Sequence, residues 1–201
     1  MSRPQIYDNA LRADLISHAA AAIADGGVPH LSLRAVAAAA GTSTNAVYTL
    51  FGGKEGLVQA AVATAADGFT AAQLAVGTSD DPLADLIGLG RAYRTWAIAH
   101  PELYAVMFGG RVSLPPLPPL PPADEPGADD EAITPLVAAV LRLVDTGRFA
   151  GAPADHIVQT IWASVHGLVS LETAVWRDRS EADRRDLYEA QLGAIIRAWQ
   201  R

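Results

Sequence analysis

The 201-residue chain is 50% hydrophobic, carries a formal charge of −7 and contains no cysteine. That composition excludes a disulfide-stapled domain, thiolate metal sites and thiol redox sensing, and its sign is wrong for a protein that holds nucleic acid by bulk charge. No stretch approaches about 18 uninterrupted apolar residues and the opening MSRPQIYDNALRAD lacks an apolar signal core, so the expectation is a cytoplasmic protein with no membrane association.

Taken in chain order, residues Tyr7 to Ala24 read as a long amphipathic helix with Leu11, Leu15, Ile16, Ala19 and Ile23 on one stripe, closed by Gly26 and Gly27. The stretch SLRAVAAAAGTSTNAVYTLFGGK, Ser32 to Lys54, then has the layout of a helix-turn-helix. Val36, Ala37 and Ala40 give its first helix an inward face, and the small alanines allow close approach of a second. Gly41 stands where a sharp turn needs a residue tolerant of positive φ. After Thr42 and Ser43 a second helix starts, with Val47, Leu50 and Phe51 at i, i+3 and i+4 on the side that must face a core. The opposite side carries Asn45 and Thr49, flanked by Thr44 and Tyr48, and a front of hydroxyls, an amide and a phenol suits a major groove. Two unrelated short helices joined by a glycine turn would share part of this pattern, but not its polar front and the long helix ahead of it.

Lys54 opens a helix that runs through Val58, Ala61, Val62 and Ala65 to about Val76. Asp80 or Asp81 can cap the next helix, with Pro82 in its first turn and Leu83, Leu86, Ile87, Leu89, Tyr93, Trp96 and Ala97 on its apolar face. Pro101 starts a further short helix, PELYAVMF, at an angle to it. Residues 114–130, LPPLPPLPPADEPGADD, hold seven of the 13 prolines and read as a polyproline-like loop. It serves either as a connection that could lie over a pocket entrance or as a docking ligand for an SH3-like or WW-like partner. Three more helices follow. Ile133, Leu136, Val137, Val140, Leu141 and Val144 stripe the first; Ile157, Ile161, Val165, Leu168 and Val169 the second; Tyr188, Leu192, Ile195, Ile196 and Trp199 the third. The last two keep a second face rich in Ala, Leu and Trp, which a symmetric four-helix interface between two copies would bury.

The charge is unevenly spread. Residues 1–60 hold four basic side chains (Arg3, Arg12, Arg34, Lys54) and four acidic ones (Asp8, Asp14, Asp25, Glu55), a net of zero, so the remainder holds 11 basic against 18 acidic. A neutral head cannot depend on releasing many counterions; it must use helix N-termini, hydroxyls and a few placed cations. The five histidines at 18, 30, 100, 156 and 166 show no metal spacing, and there is no phosphate loop or nucleophile elbow, so neither an enzyme nor a cofactor or metal is expected.

The stretch LSLRAVAAAAGTSTNAVYTLFGGKEGLV, Leu31 to Val58, resembles the DNA-binding region of the TetR family of dimeric transcriptional repressors. The match runs through leucine, serine, an apolar helix with an early basic residue, glycine, a polar turn, an apolar-Tyr pair, Phe and a Lys-Glu-x-Leu opening of the fourth helix. By that resemblance Arg34 and Thr44 are base-reading or groove-facing, Asn45 lies among the groove contacts, and Ser32, Tyr48 and Lys54 are phosphate contacts; Thr49, from the polar front, and Ser43 complete the candidate DNA-binding set. Leu50 departs from the pattern, standing where many members carry a histidine, and is expected in the core. TIWASVHGLVSLE resembles a C-terminal branch with a Trp-x-x-x-His-Gly signature, here Trp162, His166 and Gly167.

The expectation is therefore an all-α chain of about nine helices. Residues 1–53 would form a three-helix helix-turn-helix domain and 54–201 a helical ligand-binding and dimerisation domain. As a homodimer through about 154–176 and 181–200 it would bind a palindromic operator in double-stranded DNA and be released by a small apolar or aromatic effector. Tyr93, Trp96, Tyr104, Met107, Phe108, Trp162 and His166 are candidate walls of the effector site, though aromatic residues in this pattern also serve as ordinary core. The rival reading is a helical ligand-binding or scaffold protein that never binds an operator, which a neutral head permits.

Overall fold

A computed structural model describes residues 9–110, 112 and 132–200. Among these lie nine α-helices: α1 (Asn9–His30), α2 (Leu33–Ala39), α3 (Thr44–Phe51), α4 (Lys54–Leu74), α5 (Pro82–Ala99), α6 (Pro101–Phe108), α7 (Thr134–Asp145), α8 (Ala154–Ala174) and α9 (Glu181–Arg197). The described residues contain no strand, only an isolated antiparallel bridge between Phe149 and Gln200. The proline-rich segment 114–130 lies outside them. The chain divides into two compact units, residues 1–68 with 100–115 and residues 69–99 with 116–201.

In the first unit α1 is broken at Gly27, where φ is 75° and ψ 173°, and a short turn containing Pro29 follows to His30. Leu15, Ile16, Ala19, Ala20 and Ile23 of α1 form one side of a core completed by Leu31, by Val36 and Ala37 of α2, and by Val47 of α3. Leu57, Val58 and Ala61 of α4 and Val106 of α6 close it. Each Val, Leu or Ile side chain sealed in this way contributes about 1.5–3 kcal/mol. Leu50, expected in the core, is half-buried against it. Helix α6 packs on α1, a pairing that no local sequence pattern announces.

The α2–α3 turn follows from Gly41, whose φ of 65° allows a Schellman closure: the Thr42 N–H donates to Ala37 O at 2.8 Å and the Gly41 N–H to Ala38 O at 3.1 Å. Gly56 has a different task. A Cβ there would stand 1.8 Å from the carbonyl oxygen of Phe51, so only glycine lets the first turn of α4 sit against the end of α3.

In the second unit Asp81 caps α5 by accepting from the Leu83 N–H at 3.0 Å, with Pro82 as the first helical residue. Helix α5 packs on α7, α8 and α9. At its centre Arg94, 8% exposed, donates from Nε and Nη2 to both oxygens of Glu172, 2% exposed, at 2.8 and 2.6 Å. Arg94 also reaches Glu181 at 3.0 Å, and its guanidinium lies over the Tyr188 ring at 5.6 Å. The Tyr188 hydroxyl donates to Gly90 O at 2.5 Å. Near the start of α5 the Ser79 hydroxyl and N–H, with Arg142 of α7, bind Asp85 and hold its carboxyl below the usual range.

Gly56→Ala is expected to lower stability by about 1–3 kcal/mol, the usual cost of overpacking, read as an earlier urea midpoint with unchanged m-value. An unchanged midpoint would mean that α4 starts elsewhere.

Candidate functional site

Helix α3 is eight residues long, and its two faces differ completely. Ala46 and Val47 are fully buried, whereas Ser43, Thr44, Asn45, Tyr48 and Thr49 are all exposed, Tyr48 to 59%. Ser43 occupies the N-cap with an extended backbone, but its hydroxyl makes no capping bond and is available to a ligand. The Thr49 hydroxyl donates to Asn45 O at 2.9 Å, which spends its proton inside the helix and leaves its lone pairs to accept from outside. The Asn45 side chain is exposed and has no intramolecular partner among the described hydrogen bonds, so both its carbonyl and its amide face solvent.

Around α3 stand the remaining predicted residues. Ser32 is the N-cap of α2 and accepts from the Ala35 N–H at 3.4 Å; its own proton is unspent. Arg34 is exposed in the first turn of α2. Lys54, half-buried at the start of α4, places Nζ 3.4 Å from Pro29 O and retains further donors. The structure thus brings all eight predicted residues onto α3 and the two helix starts beside it. Sequence reasoning missed Arg12, whose guanidinium lies 5.3 Å over the Phe51 ring and so sets a third cation beside α3. It is 39 positions from Phe51, and no local pattern relates the two.

The predicted effector residues are divided between the two units. Tyr104, Met107 and Phe108 belong to the first unit, where the Tyr104 and Phe108 rings meet at 5.1 Å. Tyr93, Trp96, Trp162 and His166 belong to the second. There Tyr93 and Trp96 both pack edge-on against Phe69, at 5.0 and 5.4 Å, an aromatic of α4 that sequence reasoning passed over. His166 stacks on Trp162 at 5.6 Å, shares a 2.9 Å hydrogen bond between Nδ1 and the Tyr93 hydroxyl, and has Ser170 Oγ 3.5 Å from Nε2. Burial lowers its pKa, so the ring is neutral at pH 7.

Comparison with known proteins gives this geometry its context. Residues 15–61 match the family described as bacterial regulatory proteins, tetR family, and residues 86–195 match a tetracyclin repressor-like C-terminal domain. The chain belongs to the TetR family. It is a ligand-responsive DNA-binding transcriptional regulator. The TetR-like fold recurs in a TetR-family regulator from Marinobacter aquaeolei, with TM-score 0.74, 20% identity and coverage of 96% of this chain and 97% of that one. SmeT, the repressor of the Stenotrophomonas maltophilia multidrug efflux pump SmeDEF, gives 0.69 at 19% identity, covering 98% and 92%. PfmR from Thermus thermophilus gives 0.67 at 18%, covering 91% and 97%. No curated protein matches the sequence significantly. No helix among the described residues is long and apolar enough to cross a membrane.

The neutral state of His166 has a testable sign. Because its folded pKa lies below the ordinary 6.5, the unfolded chain binds the proton more readily, and stability falls as pH drops below about 6.5. In His166→Gln the part of the decline due to this ring is expected to vanish, so that urea midpoints at pH 7.5 and 5.5 lie closer together than in the parent. Equal spacing in both proteins would contradict it.

Proposed function

We propose that this TetR-family protein is a repressor that binds a palindromic operator as a homodimer, placing Thr44, Asn45 and Thr49 of each copy into successive major grooves. The observation that carries this is the division of α3 into a sealed apolar back and a fully exposed polar front. Arg34 and Ser43 join the groove contacts, while Ser32, Tyr48 and Lys54 meet phosphates. Residues 1–53 do the DNA reading, and 54–201 provide dimerisation and the effector response. The neutral head makes these few polar groups carry most of the affinity. Nothing in this scheme calls for catalysis, and a regulator of this kind works in the cytoplasm, where its DNA is.

The outward faces of α8 and α9 support the dimer. Ala163, Gly167, Leu171 and Ala174 line one side of α8, and Leu187, Ala190 and Ala194 one side of α9, all exposed or half-buried in the single chain. A Cβ added at Gly167 would meet nothing within 4 Å. A glycine inside a helix costs about 0.5–1 kcal/mol relative to alanine, so a residue the chain itself does not require is consistent with close approach of a partner helix. An effector in the second unit would release the operator by binding better to the DNA-incompetent arrangement, acting through α4; about 1.4 kcal/mol of differential affinity weakens operator binding tenfold.

In gel shifts against the DNA flanking its own gene, Asn45→Ala is expected to lose preference at one position per half-site, worth about 1–3 kcal/mol, whereas Lys54→Ala weakens all sequences alike. The salt dependence should be shallow; a log–log slope as steep as about −8 per dimer would imply about nine neutralised phosphates and refute the few-contact reading. A folded dimer that shifts no DNA at low salt would favour a scaffold without operator binding.

Gly167→Arg is expected to weaken the dimer with helical content unchanged. Each copy adds an overpacking cost of about 1–3 kcal/mol, and two-fold symmetry applies it twice. Sedimentation in which the variant remains as dimeric as the parent would place the interface elsewhere.

A further inference from the structure

On the face of α4 that carries Phe69 lies a polar group that the described residues leave unpaired. Gln73 of α4 is 5% exposed, and its Nε2 is buried without a hydrogen-bond partner among the described residues. It sits one helical turn after Phe69, whose ring meets Tyr93 and Trp96, so both side chains leave the same face of α4. A buried amide donor with no acceptor is a standing cost, and it is removed by whatever brings an acceptor to it.

The neighbouring polar groups are already matched to one another. The Tyr93 hydroxyl is 2.9 Å from His166 Nδ1, and Ser170 Oγ is 3.5 Å from Nε2 of the same ring, which burial keeps neutral. Arg94, next to Tyr93 in sequence, is occupied by Glu172 and Glu181. An anionic ligand would therefore meet no unspent guanidinium at this point of α5, and a cationic one would face the protons of Gln73. A neutral aromatic molecule with one acceptor meets neither obstacle.

Building on the reading that the second unit holds the effector, we propose that Gln73 selects its chemical class: a neutral, largely aromatic molecule whose carbonyl or ether oxygen accepts from Gln73 Nε2 while its ring packs against Phe69, Tyr93 and Trp96. Gln73 is a specificity-determining residue. It contributes little to the apolar contacts and most of the discrimination between ligands of equal shape.

Three probes of matched size test this on the full-length protein through quenching of tryptophan fluorescence: 2-acetylnaphthalene, 2-ethylnaphthalene and 2-naphthoate. The parent is expected to bind the acetyl compound about tenfold more tightly than the ethyl compound, and the naphthoate most weakly. Gln73→Met should erase the acetyl preference by weakening that probe alone, and should raise the melting temperature of the free protein because the unpaired donor is gone. Equal affinity of the parent for the acetyl and ethyl compounds, tightest binding of naphthoate, or a preference that survives in Gln73→Met would each overturn the proposal. So would a lower melting temperature for the variant, which would make Gln73 a structural residue. The comparison of probes on the parent stands without any variant. Because these titrations need no DNA, absence of binding by all three probes in a protein that still shifts its operator would reject this ligand class and leave the repressor reading intact. Normal probe selectivity in a protein that shifts no DNA would do the reverse.

Discussion

An eight-residue helix is too short to hold its shape in water, so everything α3 does depends on burying its back. Ala46 and Val47 achieve this completely, with Leu50 and Phe51 half-buried behind them. The core they enter is assembled from five helices, α1 to α4 and α6, because two short helices cannot enclose a core by themselves. Fixing the back leaves the front with no structural obligation. Asn45, Thr44 and Tyr48 can then stand in solvent at defined positions, which a reader of base edges requires.

The second unit has a different organising contact. Arg94 and Glu172 form a bidentate pair between α5 and α8, and Glu181 extends it to α9. A buried pair of this kind adds little net stability over an apolar packing of equal volume, because desolvation offsets most of the attraction. Its effect here is directional: the two N–H···O bonds fix α8 against one position on α5, and Glu181 ties the start of α9 to the same guanidinium.

The apolar periodicity of α1, α5, α7, α8 and α9 was legible in the sequence because burial of one helix face imposes a 3.6-residue repeat on the residues themselves. The polar front of α3 was legible for the converse reason. Gln73 was not: one glutamine on an alanine-rich helix reads as a solvated position, and only packing reveals that it is sealed from water. Phe69 was missed in the same way. Arg12 on Phe51 and α6 on α1 are contacts between segments far apart in sequence, and chain-local patterns carry no information about them.

The sequence by itself determined the all-α class, the helix-turn-helix, the placement of Asn45 and Thr49 opposite Val47, and the family resemblance, since each is a matter of spacing within one or two helical turns. Tertiary structure alone decided which aromatics share a unit, dividing Tyr93, Trp96, Trp162 and His166 from Tyr104, Met107 and Phe108. It also decided that Gly56 must be glycine and that Gln73 is buried with an unpaired donor. The physical reason is common to all three: burial and close approach are properties of what a second segment brings to a residue, and that segment is named nowhere in the residue's own neighbourhood.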